Sequence, residues 1–181
     1  MLAHWVKLAS MLQGDQVTLR PMEASDLQSL VELFAEPDVA RWWPGENLPR
    51  LQARLTDDDE GVGLVIEMDG TLIGFVQYFE ETDPEYRHAS IDIVLHPGWC
   101  NRGLGTDAVR TLARHLFDDR GHHRLTIDPT VSNARAIASY RKVGFRDVGV
   151  MRRYERANDG TWRDSLLMDL LAEEFTLDRA Q

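Results

Sequence analysis

The stretch Asn101-Arg102-Gly103-Leu104-Gly105-Thr106 joins two segments of different hydrophobic periodicity. Residues 88–95 before it alternate as in a strand, whereas the residues after it repeat at helical spacing as far as Asp119. Glycine allows the backbone to approach a ligand closely, and the first N–H groups of a helix have no partners within that helix. The turn therefore predicts a site for an anion such as a pyrophosphate, to which Arg102 adds a positive charge. An ordinary tight turn before a helix is the alternative interpretation.

A second motif extends from Ser132 to Phe145 and reads Ser-Asn-Ala-Arg-Ala-Ile-Ala-Ser-Tyr-Arg-Lys-Val-Gly-Phe. Residues 133–142 have helical spacing, and Gly144 stands where a left-handed residue closes a helix. Along the whole chain the patterns predict a strand, two helices and three antiparallel strands, then a helix, strand, helix and strand, and a last strand. This order predicts one α/β domain with a mixed sheet.

Together, the two motifs resemble the GNAT superfamily of acyl-CoA-dependent N-acetyltransferases. The similarity covers the order of predicted elements from about residue 15 to residue 172. It implies a single GNAT-type domain over residues 15–181, preceded by an N-terminal extension over residues 1–14. The implied sheet is mixed, mostly antiparallel, splayed between two central strands and flanked by helices. One departure from the family pattern stands at Cys100, where Gln or Arg is usual.

The resemblance implies acetyl-CoA as the co-substrate. In this family the pantetheine arm lies beside the strand that precedes the glycine turn, and the pyrophosphate lies on the amides of the turn. The helix of the second motif supplies an asparagine to the pantetheine and a tyrosine to the thioester sulfur. The residues implied at these positions are Ile93, Val94 and Leu95 on the strand, Arg102, Gly103, Leu104, Gly105 and Thr106 in the turn, and Asn133 and Tyr140 on the helix.

Acetyl transfer to nitrogen needs a neutral amine and a proton for the leaving thiolate. The resemblance makes Tyr140 the candidate general acid. Asp92 stands between Ile91 and Ile93 in an apolar strand, and strand alternation puts its side chain on the face opposite theirs. Asp92 either faces the acceptor pocket as a base or proton relay, or is a solvent-exposed strand residue.

Four stretches narrow the resemblance to the aminoglycoside 6′-N-acetyltransferases. They are Arg41-Trp42-Trp43, Glu80-Glu81-Thr82-Asp83-Pro84, Ile91-Asp92 and the run from Thr126 to Asn133. This resemblance implies acetylation of the 6′-amine of an aminoglycoside, with antibiotic resistance as the result. Asp92 and Asp128 would hold ammonium groups of the acceptor, and the two tryptophans would wall the pocket. The implied substrate-binding residues are Trp42, Trp43, Asp83, Asp92, Asp128 and Asp159.

Other functions share part of this pattern. The run from Asp159 to Met168, Asp-Gly-Thr-Trp-Arg-Asp-Ser-Leu-Leu-Met, is similar to the ending of the ribosomal-protein N-terminal acetyltransferases. Those enzymes need room for a peptide and do not need Asp128. Acetylation of another small-molecule amine is a further alternative. A CoA-binding module without catalysis would keep the glycine turn but would not require Tyr140.

Composition limits the partners. The 181 residues include 30 acidic and 20 basic side chains, which gives a formal net charge of −10. This excess argues against a nucleic-acid partner or an anionic membrane, and it is compatible with a cationic small-molecule ligand or simply with solubility. Cys100 is the only cysteine, so a cysteine-rich metal site is excluded and a reducing cytoplasm is the expected location. We expect no metal and either a monomer or a homodimer.

Overall fold

The computed structural model describes residues 11–55 and 61–175. The strands are β1 (Leu12–Gln13), β2 (Thr18–Pro21), β3 (Gly61–Met68), β4 (Thr71–Glu81), β5 (His88–Leu95), β6 (Arg124–Ile127), β7 (Arg146–Arg156) and β8 (Trp162–Leu171). The helices are α1 (Leu27–Ala35), α2 (Pro37–Ala40), α3 (Leu48–Ala53), α4 (Leu104–Asp118), α5 (Ala134–Val143) and α6 (Ala172–Phe175), with short 3₁₀ turns at Ala24–Asp26 and Pro97–Trp99. Within the described ranges, no helix is both long enough and apolar enough to cross a membrane.

The strands form one sheet in the order β1-β2-β3-β4-β5-β6-β8-β7. Neighbouring strands run antiparallel except at the centre, where β5 and β6 are parallel. In the described part of the chain these two strands pair at two positions, Ala89 with Leu125 and Ser90 with Thr126. Beyond them the strands separate, although β5 continues to Leu95. The predicted α/β fold with a splayed, mostly antiparallel sheet is therefore confirmed.

Helices cover both faces of the sheet, and each face has its own apolar core. On one face, α4 and α5 bury Leu112 and Ile137 against Leu125 of β6. On the other face, Phe34 of α1 packs against Phe75 of β4, with ring centroids 5.9 Å apart. Full burial of such a side chain contributes about 1.5–3 kcal/mol to the free energy of unfolding. Because both faces are covered, the centre of β4 is a nearly continuous apolar run.

The buried carboxylate of Asp107 fixes the start of the sheet to α4. Its two oxygens accept hydrogen bonds from the backbone N–H groups of Asp15 at 3.1 Å, Gln16 at 2.7 Å and Val17 at 3.0 Å. A charged acceptor shared by three donors is one of the stronger ways to hold a loop. The chain that leads into β2 is therefore anchored beside the helix that starts at the glycine turn.

The sheet begins within the predicted N-terminal extension. Leu12 and Gln13 form β1 and pair with Leu19 and Thr18 of β2. Residues 1–10, the rest of the extension apart from Met11 and Gly14, lie outside the described residues.

The last two strands are longer than the sequence predicts. The sequence pattern predicts strands over Phe145–Met151 and Asp164–Leu171, whereas the structure has β7 over Arg146–Arg156 and β8 over Trp162–Leu171. The pairing of β7 with β8 is interrupted between Met151 and Glu155, and Arg153 has a left-handed φ of 50°. This bulge breaks the alternation of polar and apolar residues, which is the signal on which strand prediction depends.

Candidate active site

The separation of β5 from β6 opens a cavity of about 650 Å³. Its walls come from β5, β6, the turn before α4, one face of α5, the segment after α1, and the hairpin of β7 and β8. A cavity at this place follows from the topology, because two parallel strands that pair only at one end leave a wedge between their other ends. Residues that line this wedge can contact a ligand bound in it.

The glycine turn forms one end of the cavity. Gly103 has a φ of 82°, which a residue with a side chain rarely adopts, and it leads directly into α4. A Cβ at Gly105 would lie 3.2 Å from the Leu95 side chain, so a larger residue there would crowd the strand edge. The backbone can thus bring the first N–H groups of a 15-residue helix up to an anion.

Most residues predicted for the co-substrate line the cavity. They are Ile93, Val94, Leu95, Gly103, Gly105, Thr106, Asn133 and Tyr140. Arg102 and Leu104 are not in its wall: the Arg102 guanidinium lies 5.0 Å from the centre of the Trp99 ring, and Leu104 is buried in the core. Leu104 can therefore contribute its backbone N–H but not its side chain, because that side chain packs inward from the first turn of α4.

One polar contact holds α5 beside the turn, and a second caps α5 itself. The hydroxyls of Thr106 and Ser139 share a hydrogen bond of 2.8 Å between α4 and α5. The side-chain oxygen of Asn133 accepts a hydrogen bond of 3.3 Å from the N–H of Ala136 and caps α5. The amide nitrogen of Asn133 is therefore the part of this side chain that can donate to a ligand.

Tyr140 is buried at the centre of the cavity wall. Burial raises the pKa of its hydroxyl, the charges of Asp92 and Asp128 raise it further, and Arg135 partly opposes them. The hydroxyl therefore stays protonated at every physiological pH and can act as a proton donor. The same electrostatic coupling places Tyr140 close to the two aspartates that the sequence singled out.

Asp92 lines the cavity and is held by its neighbour in the sheet. It stands opposite Gln77 of β4, whose Nε2 donates a hydrogen bond of 2.9 Å to Asp92 Oδ2. Burial raises the pKa of Asp92, the Gln77 hydrogen bond and the charge of Arg54 lower it, and the charge of Glu155 raises it, with a net upward shift. The alternative of a solvent-exposed strand position is therefore wrong.

Gln77 belongs to a network of hydrogen-bonded side chains that also includes Arg54 and Glu46. Arg54 donates a hydrogen bond of 2.7 Å to Gln77 Oε1 and one of 2.9 Å to Glu46 Oε1. Because Arg54 can only donate, it fixes which end of the Gln77 amide points at Asp92. Sequence reasoning missed this arrangement, because Glu46 and Arg54 flank α3 whereas Gln77 lies on β4.

Asp128 is the second acid of the cavity, at the end of β6. Burial and the charges of Asp92 and Glu155 raise its pKa to about 6, against a hydrogen bond from the Tyr154 hydroxyl that lowers it. Glu155 also lines the cavity, and its Oε2 accepts a hydrogen bond of 2.7 Å from Thr130. Sequence reasoning missed Tyr154 and Glu155 because the predicted last-but-one strand stopped before the bulge that carries them.

Both predicted tryptophans line the cavity, with different environments. The Trp43 ring packs on Phe34 and Phe75, with centroid separations of 5.3 Å and 6.1 Å, and belongs to the apolar core. Two guanidinium groups lie near the centre of the Trp42 ring, that of Arg41 at 4.7 Å and that of Arg163 at 6.0 Å. Trp42 therefore presents a flat ring to the cavity and contacts two arginines, whereas Trp43 packs in the core and fixes the segment after α2.

The structure does not place Asp83 or Asp159 in the cavity wall, and their contact with substrate stays a prediction. Asp83 is exposed, and its Oδ1 accepts a hydrogen bond from the N–H of Glu85 within a loop. Asp159 is exposed in the β7–β8 turn, where hydrogen bonds from Thr161 lower its pKa. Both carboxylates stabilise turns, a role that a short polar side chain has wherever the chain reverses.

Glu80, the first residue of the acidic stretch, does not share the cavity either. Strand alternation points its side chain to the face of the sheet opposite that of Gln77, and its carboxylate contacts Arg120 at 2.7 Å and His122 at 2.7 Å. Burial would raise the pKa of Glu80, but these hydrogen bonds and charges outweigh it and lower the pKa to about 2. Glu80 therefore belongs to a buried ion pair and not to the cavity. No cluster of three or more metal-ligating side chains is present among the residues that the structure describes.

Residues 16–146 match the family model described as the acetyltransferase (GNAT) domain. The chain belongs to the GNAT acetyltransferase family. The match includes the splayed strands, the glycine turn and α5, so it covers the elements that build the cavity apart from the β7–β8 hairpin. The expected family is confirmed.

Relatives of this GNAT acetyltransferase act on different amines. It is 34% identical over 158 residues to the aminoglycoside N(6′)-acetyltransferase type 1 of Klebsiella pneumoniae, with 76% of this chain and 78% of the relative covered. It is 27% identical over 171 residues to the spermidine N(1)-acetyltransferase of Escherichia coli K12, with 91% of each chain covered. The solved structure of AAC(6′)-Ib in complex with paromomycin and acetyl-CoA has a TM-score of 0.76 and 29% identity, and the match covers 92% of this chain and 99% of that one.

Proposed function

We propose that this protein transfers the acetyl group of acetyl-CoA to a primary amine of a polycationic small molecule, with the 6′-amine of an aminoglycoside as the preferred acceptor. The observation that carries the proposal is the group of three carboxylates, Asp92, Asp128 and Glu155, in the wall that also holds the Tyr140 hydroxyl. Several acids in one partly buried wall are costly unless a cation compensates them. The raised pKa values of Asp92 and Asp128 are the measure of that cost.

The co-substrate fits the opposite part of the cavity. The edge of β5 at Ile93, Val94 and Leu95 is separated from β6, so its backbone can bind the amides of the pantetheine arm. The N–H groups at the start of α4 suit the pyrophosphate. When bound there, acetyl-CoA would supply the activated thioester, and Tyr140 in the same cavity wall would serve its sulfur.

The residues of this chain can then move the two protons that the reaction needs. An ammonium acceptor loses a proton to Asp92 or Asp128, directly or through water, and becomes nucleophilic. Its nitrogen attacks the thioester carbonyl, the carbon–sulfur bond breaks, and Tyr140 donates its proton to the departing thiolate. The nitrogen then loses its second proton as the amide forms, and this proton returns to Tyr140 directly or through water. Holding both substrates together contributes about 7–11 kcal/mol to lowering the barrier, and acid–base assistance adds about 10²–10⁴-fold in rate.

A polyamine such as spermidine is the second candidate acceptor. It presents the same ammonium groups to the three carboxylates, and the spermidine N(1)-acetyltransferase relative is covered over more of its length than the aminoglycoside enzyme. The flat Trp42 wall beside the carboxylates favours the ring of an aminosugar. Aminoglycoside resistance follows if the first candidate is correct, and the cytoplasm, where acetyl-CoA is made, is the proposed location.

The test is turnover of a panel of amines with acetyl-CoA, followed by release of the CoA thiol. We expect kcat/KM to be highest for kanamycin, lower for spermidine and spermine, and lowest for short peptides that begin with Ser or Ala. A preference for spermidine would support the second candidate, and turnover of peptides alone would support the N-terminal acetyltransferase. Binding of CoA without turnover of any amine would support a non-catalytic module and contradict the proposal.

A further inference from the structure

Two hydrogen bonds join the β7–β8 hairpin to the end of α2. Arg163 Nη1 donates to the backbone carbonyl of Arg41 at 2.8 Å, and Asn158 Nδ2 donates to that of Ala40 at 3.1 Å. The Arg163 guanidinium also lies 6.0 Å from the centre of the Trp42 ring, whose other contact is Arg41. We call this contact, made by Ala40, Arg41, Trp42, Asn158 and Arg163, the clasp.

The clasp connects opposite walls of the acceptor end of the cavity. On the α2 side, its residues adjoin Val39 and include Trp42, which both line the cavity. On the hairpin side, Asn158 and Arg163 flank the turn between Glu155 and Ser165, which also line it. In the sheet formed by the described strands, β5 and β6, the strands that separate, stand between the hairpin and β4. The clasp therefore joins the two sides of the gap between β5 and β6 at the protein surface, near the carboxylates of the cavity.

The chemistry of the clasp makes it openable. Both acceptors are backbone carbonyls, so the α2 side offers the same contacts whatever its side chains are. Asn158 is exposed and Arg163 is half-buried, and both hydrogen bonds lie at the surface, where they compete with water. The clasp can therefore close over a small ligand without large strain, yet it must be broken by a ligand that extends out of the cavity at this point.

We propose that the clasp determines the size of the acceptor: it admits compact polyamines and aminosugars and excludes the N-termini of polypeptides. This proposal rests on the proposed function and makes it more specific. A small amine ends within the cavity, whereas a peptide continues past its first residues and needs an exit between α2 and the hairpin. Asn158 and Arg163 are then specificity-determining residues that touch neither the thioester nor the attacking nitrogen.

The test compares Asn158→Ala, which changes no charge, and the double variant Asn158→Ala with Arg163→Ala against the parent protein. Arg141→Ala is the matched control, because Arg141 is an exposed arginine paired with Asp147 and is not in the cavity wall. The measurements are kcat/KM for spermidine or kanamycin and for a short peptide that begins with Ala. Unfolding midpoints in urea identify any variant that fails to fold.

We expect the ratio of peptide to small-amine kcat/KM to rise at least about 10-fold in the double variant, to rise less in Asn158→Ala, and to stay unchanged in the control. The proposal is overturned if the ratio of peptide to small-amine kcat/KM is unchanged in a folded double variant. It is also overturned if the parent protein acetylates the peptide efficiently.

A second measurement does not depend on catalysis. The affinity of a fluorescent form of the same peptide for the CoA-bound protein is measured by anisotropy. It should increase at least about 10-fold in the double variant, and an equal affinity in parent and variant overturns the clasp. Failure of the proposed function is recognised separately, by absent turnover of every small amine in the parent protein.

Discussion

The side-chain amide of Gln77 donates a hydrogen bond of 2.9 Å to Oδ2 of Asp92 across the register of β4 and β5. A hydrogen bond to an ionised acid lowers its pKa, and here it acts against burial, which is the larger effect. Gln77 in turn is held by Arg54, so the orientation of its amide is fixed. The hydrogen bond thereby limits the rise in the pKa of Asp92, the acid proposed to accept the proton of the amine, and favours its ionised form.

Replacing Gln77 with Met should move the acid limb of the pH profile. The variant keeps the side-chain volume but loses the donor, so the pKa of Asp92 should rise further and the acid limb should move to higher pH. The measurement is kcat/KM for the best amine as a function of pH. Gln28→Met, a change at an exposed glutamine of α1, is the control and should leave the profile unchanged. A Gln77→Met profile that superimposes on the parent contradicts a tuning role.

Asp128→Asn should stabilise the protein at neutral and higher pH while it weakens acceptor binding. The folded pKa of Asp128 is about 6, and that of an unfolded Asp is about 4. Stability linked to this group is fully present below about pH 4 and is lost as the pH rises through about 6. The variant, which cannot ionise, should therefore be more stable than the parent by about 1–3 kcal/mol at pH 8 and equal to it at pH 4.

Urea unfolding at the two pH values checks this difference, and calorimetry with CoA and with the amine checks binding. CoA affinity should be nearly unchanged. Asp83→Asn is the control, because Asp83 is an exposed acid outside the cavity and should show neither effect. Equal loss of CoA and acceptor binding in Asp128→Asn would mean that Asp128 is structural.

Tyr140→Phe should lower kcat by at least about 10-fold and leave CoA affinity within about 2-fold, because only the proton donor is removed. The buried hydroxyl has a raised pKa, so its ionisation should not limit the rate anywhere in the assayed range. Tyr86→Phe, at an exposed loop position, is the matched control. A Tyr140→Phe enzyme with full kcat would rule out Tyr140 as general acid.

Glu80→Gln should destabilise the fold without a specific effect on acceptor binding. Its carboxylate is buried against Arg120 and His122, and removing one partner of a buried pair costs about 3–5 kcal/mol. Its folded pKa, about 2, is below the unfolded value, so the stabilisation is present above about pH 4.5 and is lost as the pH falls toward 2.

The difference in unfolding free energy between parent and Glu80→Gln should therefore be larger at pH 7 than at pH 3. The exposed Glu85→Gln serves as the comparison and should change neither value measurably. If the two variants were equally stable at pH 7, the buried pair would contribute nothing to the fold.

Local signals predicted most of the framework that positions the site. The change from strand to helical periodicity at Asn101 identified the turn before α4, and the apolar strand that contains Asp92 matched β5 in both bounds. These elements have one dominant pattern and end at glycine or proline residues, so their short-range physics agrees with the final fold. The motif resemblance then supplied Asp128 and Tyr140, which lie far from Asp92 in sequence.

The residues that sequence reasoning missed or misplaced depend on long-range packing. Tyr154 and Glu155 reach the cavity because a bulge rotates β7 after Met151, and the bulge is held by a hydrogen bond of 2.8 Å from the Arg153 N–H to Asp164. The resemblance implied substrate contact for Asp83 in an acidic loop and for Asp159 late in the chain, whereas each side chain binds its own turn. The local sequence pattern does not show whether such a side chain binds its own turn or enters the cavity.

The pairing of β5 with β6 over Ala89, Ser90, Leu125 and Thr126 has a thermodynamic consequence. A sheet interrupted at its centre lacks the backbone bonds and packing of one strand, and a bound acetyl-CoA would fill that place as if it were part of the polypeptide. Ligand and fold are then linked, and CoA at 100 times its dissociation constant adds about 2.7 kcal/mol to stability. The cellular supply of the acetyl donor would in this way also govern how long each copy of the protein resists unfolding and proteolysis.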